Sequence, residues 1–281
     1  MAYSLNQIML IGNITEKPEM RKTPSGSTVT DINLQVKARF NRDDGDNQLS
    51  TSFHTVVLWN RQAEIVDQYL KAGSPLFVLG RLKTEEWEGD DGQKRRKTKV
   101  ISQEIILLDS KNETTHPGEE SSIFGGLNKV EILGNLTKDP ELRKTPNGVD
   151  VCNFRVATNR KWRSREDDSL QEETEFHNIV VWNELAVEVS EKIKKGYKVY
   201  IKGRCTSRGW ETPDGEKRRI TEVVADNVLL VGFTDQDLAE GKNNQSENNT
   251  ATTPTEKIEE ELPEIPEIKH ESSIKPEDLP F

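Results

Sequence analysis

Apolar and polar positions alternate along most of the first 233 residues, and the same series of patterns runs through twice. Residues 5–14 and 127–136 each predict a strand that ends near Gly12-Asn13 or Gly134-Asn135. A Pro-containing connection then reaches Thr23-Pro24-Ser25-Gly26 and Thr145-Pro146-Asn147-Gly148, both strong turn signals. A second strand over about 28–38 and 150–160 puts Ile32, Leu34, Val36 and Phe154, Val156 on one parity, read as buried. Charged loops over 41–51 and 163–174 lead into Phe53–Asn60 and Phe176–Asn183. In the first of these, Phe53, Thr55, Val57 and Trp59 share one strand face, and His54, Val56 and Leu58 the other. A short helix follows over 61–72 and 184–195, with Val66, Tyr69, Leu70 and Ala186, Val189, Ile193 at helical spacing and Gly73 or Gly196 placed to end it. A fourth strand (76–87, 198–210) and a fifth (95–108, 217–231) are joined at Asp91-Gly92 and Asp214-Gly215, hairpin turn signals.

Five strands with one helix between the third and fourth is the element order of an OB-fold barrel, so the expected class is all-β, with two tandem OB barrels. The duplication is direct: LNQIMLIGNITEKPEMRKTPSG (5–26) and LNKVEILGNLTKDPELRKTPNG (127–148) agree at twelve of 22 positions. The offset is 122 there and 123 from Phe53/Phe176 onward. The expected organisation is residues 1–110 as the first domain, 111–126 as a polar linker, 127–233 as the second domain, and 234–281 as a disordered acidic tail.

Charge changes this picture in one respect. The chain carries −10, which argues against a nucleic-acid partner until the charge is located. Residues 234–281 hold thirteen Asp or Glu and four Lys, a net of −9, which leaves −1 for residues 1–233. Cys152 and Cys205 have no counterparts in the first copy and read as small core residues in a reducing compartment. No apolar run approaches the ~18 residues of a membrane span, and the N-terminus has no signal-peptide pattern, so no membrane association and a cytoplasmic location are expected.

Candidate chemistry lies on the outward parity of the strands. Tyr200, Lys202, Arg204, Thr206, Arg208 and Trp210 share one face of the fourth strand in copy two; Phe77, Leu79, Arg81, Lys83, Glu85 and Trp87 do so in copy one. A row with several cations cannot be core and faces solvent or a ligand. Four aromatic positions recur: Phe40/Trp162, Phe53/Phe176, Trp59/Trp182 and Trp87/Trp210. Rings interleaved with cations suit single-stranded nucleic acid, since bases stack on the rings and Lys or Arg meets phosphate. Backbone contact is expected from Arg21/Arg143, Lys37, Arg39, Lys161, Arg163, Arg81/Arg204, Lys83, Lys202, Arg208 and the runs 94–97 and 217–219. His54 and His177 recur without ligand-spaced partners and read as hydrogen-bonded structural residues near an interface. No nucleophile–base pair, phosphate-cradling loop or metal-ligand cluster stands out, so no enzyme, metal or cofactor is expected. RNA binding, or a protein-binding adaptor on the same barrels, remains open at this point.

With those residues in view, both copies resemble the OB domain of bacterial single-stranded DNA-binding protein. The matching segments are LNKVEILGNLTKDPELRKTPNG, TEFHNIVVWNELAVEVSEKIKKGYKVYIKGR, SRGWETPDGEKR and the terminal DLPF. The resemblance implies sequence-independent binding and protection of single-stranded DNA in replication, recombination and repair, in a nucleoid-associated setting. It places stacking on the four aromatic pairs, with Phe53 and Phe176 standing where Trp is usual. It implies a homodimer presenting four OB folds. It also implies a C-terminal tip, Glu277, Asp278, Leu279, Pro280 and Phe281, that recruits replication, recombination and repair proteins. The tip departs from the usual pattern in having only two acids before Leu, and Leu in place of Ile.

Overall fold

The computed structural model describes residues 4–41, 47–89, 92, 94–108, 126–164, 168–211 and 217–232. Copy one contains β1 (Leu5–Ile14), β2 (Met20–Lys22), β3 (Thr28–Asn41), β4 (Asn47–Trp59), α1 (Arg61–Tyr69), β5 (Pro75–Glu88) and β6 (Lys94–Leu107). Copy two repeats the order as β7 (Leu127–Leu136), β8 (Glu141–Lys144), β9 (Asp150–Arg163), β10 (Leu170–Trp182), α2 (Asn183–Lys192), β11 (Lys198–Glu211) and β12 (Lys217–Gly232). The five expected strands and one helix per copy are present. Four expectations need correction. Each copy has a further short strand, β2 or β8, inside the Pro-containing connection. The polar loops are shorter than expected, because β3 and β9 run on to Asn41 and Arg163 and β4 and β10 begin at Asn47 and Leu170. Tyr69 belongs to the exposed side of α1, not its packed side. Gly73 and Gly196 do not end the helices directly; they lie four residues beyond, at φ 89 and φ 90, in the turns into β5 and β11.

Each barrel closes in the same way. β3 pairs antiparallel with β4, β5 with β6, and β1 with both β5 and β3, while β4 meets β6 in a short parallel contact. The matching pairings in copy two are β9–β10, β11–β12, β7–β11, β7–β9 and β10–β12. The predicted inward parity is the core: Ile8, Leu10, Ile32, Leu34, Val56, Leu58, Leu76 and Val78 in copy one, and Val130, Ile132, Phe154, Val156, Ile179, Val181, Val199 and Ile201 in copy two. Gly12 and Gly134 mark where β1 and β7 bend across to a second partner. A Cβ at Gly12 would collide with the Gln35 carbonyl oxygen, and one at Gly134 with that of Ala157.

The two barrels share one hydrogen-bonded sheet. β1 pairs antiparallel with β7 from Leu5↔Leu133 to Ile11↔Leu127, and the pairing Ile8↔Val130 joins two equivalent positions. A local two-fold axis therefore passes through that point. Where β1 leaves β5 to reach β7, Asn6 extends the ladder with its side chain: Asn6 Nδ2 donates to the Leu82 carbonyl at 2.8 Å, and the Leu82 N–H donates to Asn6 Oδ1 at 3.0 Å. Asn128 does the same for Cys205, at 2.7 and 2.9 Å. A side-chain amide offers the same donor and acceptor as a peptide, so the N–H and C=O of Leu82 and Cys205 stay paired as the strands part.

Candidate nucleic-acid interface

The outward row of β4 is open at its ends and closed in its middle. Phe53 is 56% exposed and Trp59 43%, while Val57 between them is 4% exposed. Phe176 and Trp182 repeat the exposed ends in β10. Trp59 and Trp182 are held at the rim because the next residue turns the chain abruptly into the helix. Asn60 (φ 49) and Asn183 (φ 56) both take positive φ, which Asn tolerates better than most side chains. Trp87 is exposed on the β5 arm, opposite Arg95.

Trp162 does not share a strand face with Phe176. In the β9–β10 register it opposes Gln171 and lies on the row of Arg160↔Glu173, Thr158↔Glu175 and Val156↔His177, whereas Phe176 opposes Ala157 on the other row. Inside the barrel the Trp162 row is core. Beyond the barrel mouth it faces the other copy. The Arg160 guanidinium sits 4.6 Å from the Trp162 ring centroid, a cation–π contact. The side chains of Phe40, Trp210, Arg39, Lys94 and residues 217–219, the Asp91 and Asp214-Gly215 turn positions, and the tip 277–281 lie outside the described residues.

Between the copies lies a cleft of about 550 Å3, lined by equivalent residues from both sides: Phe53 with Phe176, His54 with His177, and Thr84 with Ser207. Thus the local two-fold axis brings one exposed Phe from each barrel to the same cleft. Arg155 also lines it, donating through Nε to Asn178 Oδ1 at 3.2 Å. Arg155 is absent from the sequence-based set. Its signal was available, since it sits at outward parity between buried Phe154 and Val156.

Most of the expected cations have carboxylate neighbours. Arg21 pairs with Asp31 at 3.1 Å, Arg143 with Glu141 at 2.7 Å, Arg163 with Asp168 at 2.8 Å and Lys161 with Glu172 at 3.0 Å. All four are exposed pairs, worth little and readily exchanged for phosphate. Arg208 is 69% exposed and 3.3 Å from Glu222. Lys202 is exposed and lies farther off, on the sheet face between Glu131 of β7 and Asn227 of β12. Arg204 pairs with Asp226 at 2.7 Å. Arg81 and Lys83 are placed differently from the other cations. Both bind Glu173 of copy two, at 3.2 and 2.9 Å, and the Arg81 side chain is only 13% exposed.

The histidines lie on the core side. His54 Nε2 is 2.9 Å from Ser52 Oγ and 3.4 Å from Asn128 Nδ2; His177 Nε2 is 2.9 Å from Thr158 Oγ1. Burial lowers both to about 4, so both are neutral at pH 7. Burial also pushes the Cys152 and Cys205 thiols up, to about 11 and about 12, which makes them inert packing residues. No group of His, Cys, Asp and Glu among the described residues could hold a metal ion. No helix among them is long and apolar enough to cross a membrane.

Comparison with known proteins adds to this geometry. Residues 5–108 and 127–231 each match the model of the single-strand binding protein family. The single-stranded DNA-binding protein of Thermus aquaticus is 36% identical over 227 residues, covering 80% of this chain and 84% of that protein. That of Deinococcus radiodurans is 32% identical over 256 residues, covering 90% and 82%. The crystal structure of the wild-type Thermus aquaticus single-stranded DNA-binding protein superposes with a TM-score of 0.64 at 31% identity, covering 83% of this chain and 96% of that one.

Proposed function

The chain belongs to the single-strand binding protein family, and from that premise we propose that its barrels bind single-stranded DNA irrespective of sequence and protect it during replication, recombination and repair. It is a binding protein and not an enzyme. Bases stack on Phe53, Trp59 and Trp87 in copy one and on Trp162, Phe176 and Trp182 in copy two, with Phe40 and Trp210 completing the set. Phosphates are met by Arg21, Arg143, Arg204, Arg208 and Lys202, with Arg155 in the central cleft. Arg81 and Lys83 act behind them, through their shared carboxylate. The observation that supports this most is the exposure of Phe53, Trp59, Phe176 and Trp182 at equivalent places on two barrels, with the two Phe rings lining a cation-bearing cleft. Clustered exposed rings mark interaction surfaces, and each stacked base contributes about 1–3 kcal/mol. Tryptophan fluorescence titrated with poly-dT, poly-rU and duplex DNA at two salt concentrations tests it. Quenching by poly-dT, weaker at high salt and poor with duplex, is expected. Equal quenching by poly-rU would favour RNA as the ligand, and none by any of the three would favour a protein-binding adaptor.

A homodimer presenting four barrels extends the reading. The strands β6, β5, β1, β7, β11 and β12 are consecutive in one sheet. On its outer face Ile106 opposes Phe77 and Leu229 opposes Tyr200, with Ile106 and Leu229 about half exposed. A second copy laid over this face would cover them. Sedimentation should report a dimer, and Ile106→Glu with Leu229→Glu should yield monomers; a native monomer would count against the assembly. In the tail, Leu279, Pro280 and Phe281 would fill an apolar pocket on replication, recombination or repair proteins, with Glu277 and Asp278 meeting basic residues at its rim. The organisation into domains 1–110 and 127–233, linker 111–126 and tail 234–281 accompanies this proposal, as does a cytoplasmic, nucleoid-associated location. The −9 charge of residues 234–281 would compete with DNA for the cationic strands. Deleting 234–281 should raise affinity for single-stranded DNA at low salt.

A further inference from the structure

The two copies differ where the β9–β10 arm leaves its barrel. There Glu173 reaches out of copy two to Arg81 Nη1 (3.2 Å) and Lys83 Nζ (2.9 Å) on β5 of copy one. Its Oε2 is also 4.0 Å from Arg160, the residue directly opposite on β9. Arg160 in turn lies over the Trp162 ring. One turn of strand parity nearer the barrel, the buried Glu175 accepts the Thr84 backbone N–H at 3.0 Å, again across the copies. A continuous chain of contacts thus runs from β5 of copy one through Glu173 and Arg160 to Trp162.

Copy one lacks the charged residues of this chain at the matching positions. The positions equivalent to Arg160, Glu173 and Glu175 are Ala38, Ser50 and Ser52, and the one equivalent to Lys83 is Thr206. The equivalent of Arg81, Arg204, is bound within its own barrel by Asp226, where copy one has Gln103. Arg81 lacks that internal carboxylate and reaches across to Glu173.

We propose that Glu173, supported by Glu175, is a positioning residue for DNA binding: it fixes the copy-two arm against copy one and so sets Arg160 and Trp162 for the strand. Copy two's arm is then held to copy one by charge, whereas the copy-one arm meets copy two through the neutral hydrogen bond from Asn128 Nδ2 to Ser52 Oγ at 3.2 Å. This rests on the reading of Trp162 as a base-stacking residue. Glu173 is suited to the task because burial alone would raise its carboxyl, but the hydrogen bond from Lys83 and the charges of Arg81, Lys83 and Arg160 together hold it lower, and therefore ionised. A charged, partly buried acceptor shared by three cations restricts an arm more than an exposed pair does.

The test is a double-mutant cycle in the full chain, with oligo-dT affinity as the readout. In the native background Trp162→Ala should weaken binding by about tenfold, within the range for one stacked base. In the Glu173→Gln background the same replacement should weaken it by less than about threefold, because the ring is no longer held in place. Amide exchange should speed up at the tips of β9 and β10 in Glu173→Gln and stay unchanged at the tips of β3 and β4. If the two substitutions act independently, or if Glu173→Gln only tightens binding by removing a negative charge while arm exchange is unaltered, the positioning role is wrong. Loss of the Trp162→Ala effect in the native background, with oligo-dT still bound, would also overturn it while leaving the proposed function intact. No oligo-dT binding by the native chain would overturn both.

Discussion

The copies agree in their barrels and disagree in their arms. Val56 and Ile179, Ile32 and Phe154, Val78 and Ile201 fill matching core positions, and the Gly12/Gly134 crossing and the Asn6/Asn128 side-chain ladder recur almost without change. Outside the barrels the charges have been rewired. Copy one has Ala38, Ser50 and Gln103 where copy two has Arg160, Glu173 and Asp226. Core and crossing positions have few acceptable solutions, because every buried volume and backbone group must be satisfied at once. Arm positions have many, since a solvated side chain costs little to exchange. A molecule with a local two-fold backbone can thus have an electrostatic surface that breaks the two-fold.

The comparison can be broken hardest at its symmetric part. Gly12→Val and Gly134→Val each drive a side chain into a backbone carbonyl that cannot step aside. Each should cost about 4 kcal/mol, and the two costs should agree within about 1 kcal/mol. Urea unfolding, with amide exchange to show which barrel opens, measures both. Strongly unequal costs would mean the scaffolds are less alike than their registers.

How far these features were legible depends on their range along the chain. The strands with one buried face were readable because core and solvent impose a period of two, as in Ile8, Leu10 and Val56, Leu58. β2 and β8 were not: every residue in Met20–Lys22 and Glu141–Lys144 is exposed, so no alternation marks them. The outer ends of β3, β4, β9 and β10 escaped for the same reason, since the arms leave the core behind. The aromatics at equivalent places stood out because repetition separates a retained ring from an incidental one. The partners of Arg81 and Lys83 were hidden, because Glu173 lies 90 or more residues away and only the β1–β7 pairing brings it near.

The next largest effect concerns the buried histidines. Both have folded values near 4 against about 6.5 unfolded. Between those values the unfolded chain binds more protons, so stability present above about pH 6.5 is lost as pH falls towards 4. Each histidine contributes roughly 3 kcal/mol to that loss at about 1.4 kcal/mol per pH unit. His54→Gln and His177→Gln should each flatten the stability curve over this window by similar amounts. The carboxylates common to all variants cancel in the difference. A flattening confined to one variant would show that the two sites are not equivalent.

DNA binding should favour copy two. Arg208, Lys202 and Trp162 replace Glu85, Leu79 and Phe40. In the full chain, Trp162→Ala should therefore cost more oligo-dT affinity than Phe40→Ala, by about threefold. Trp182→Ala and Trp59→Ala, on matched frames, should cost about the same as each other, some 1–3 kcal/mol each. Equal losses for Phe40 and Trp162 would remove the asymmetry at its most direct point.

The smallest effect tests how the asymmetry is built. In β12 the register slips so that Ala225 opposes Gly203 and Asn227 opposes Lys202, leaving Asp226 as the extra residue of a bulge. A bulge re-aims its side chain, and Asp226 Oδ1 meets Arg204 at 2.7 Å. β6 slips at the same place: Ser102 opposes Gly80 and Glu104 opposes Leu79, with Gln103 extra. Gln103→Asp should therefore present Arg81 with a carboxylate of its own, from the direction that Asp226 takes towards Arg204. Arg81 would then divide its hydrogen bonds, and Glu173 would keep Lys83 and Arg160 but lose its most buried partner. Global stability should move by no more than about 0.5 kcal/mol, since one partly exposed ion pair replaces another. Amide exchange at the tips of β9 and β10 should nevertheless rise a few-fold, with β3 and β4 unaffected. Unchanged protection in the copy-two arm would mean that a missing carboxylate in copy one is not what directs Arg81 across the interface.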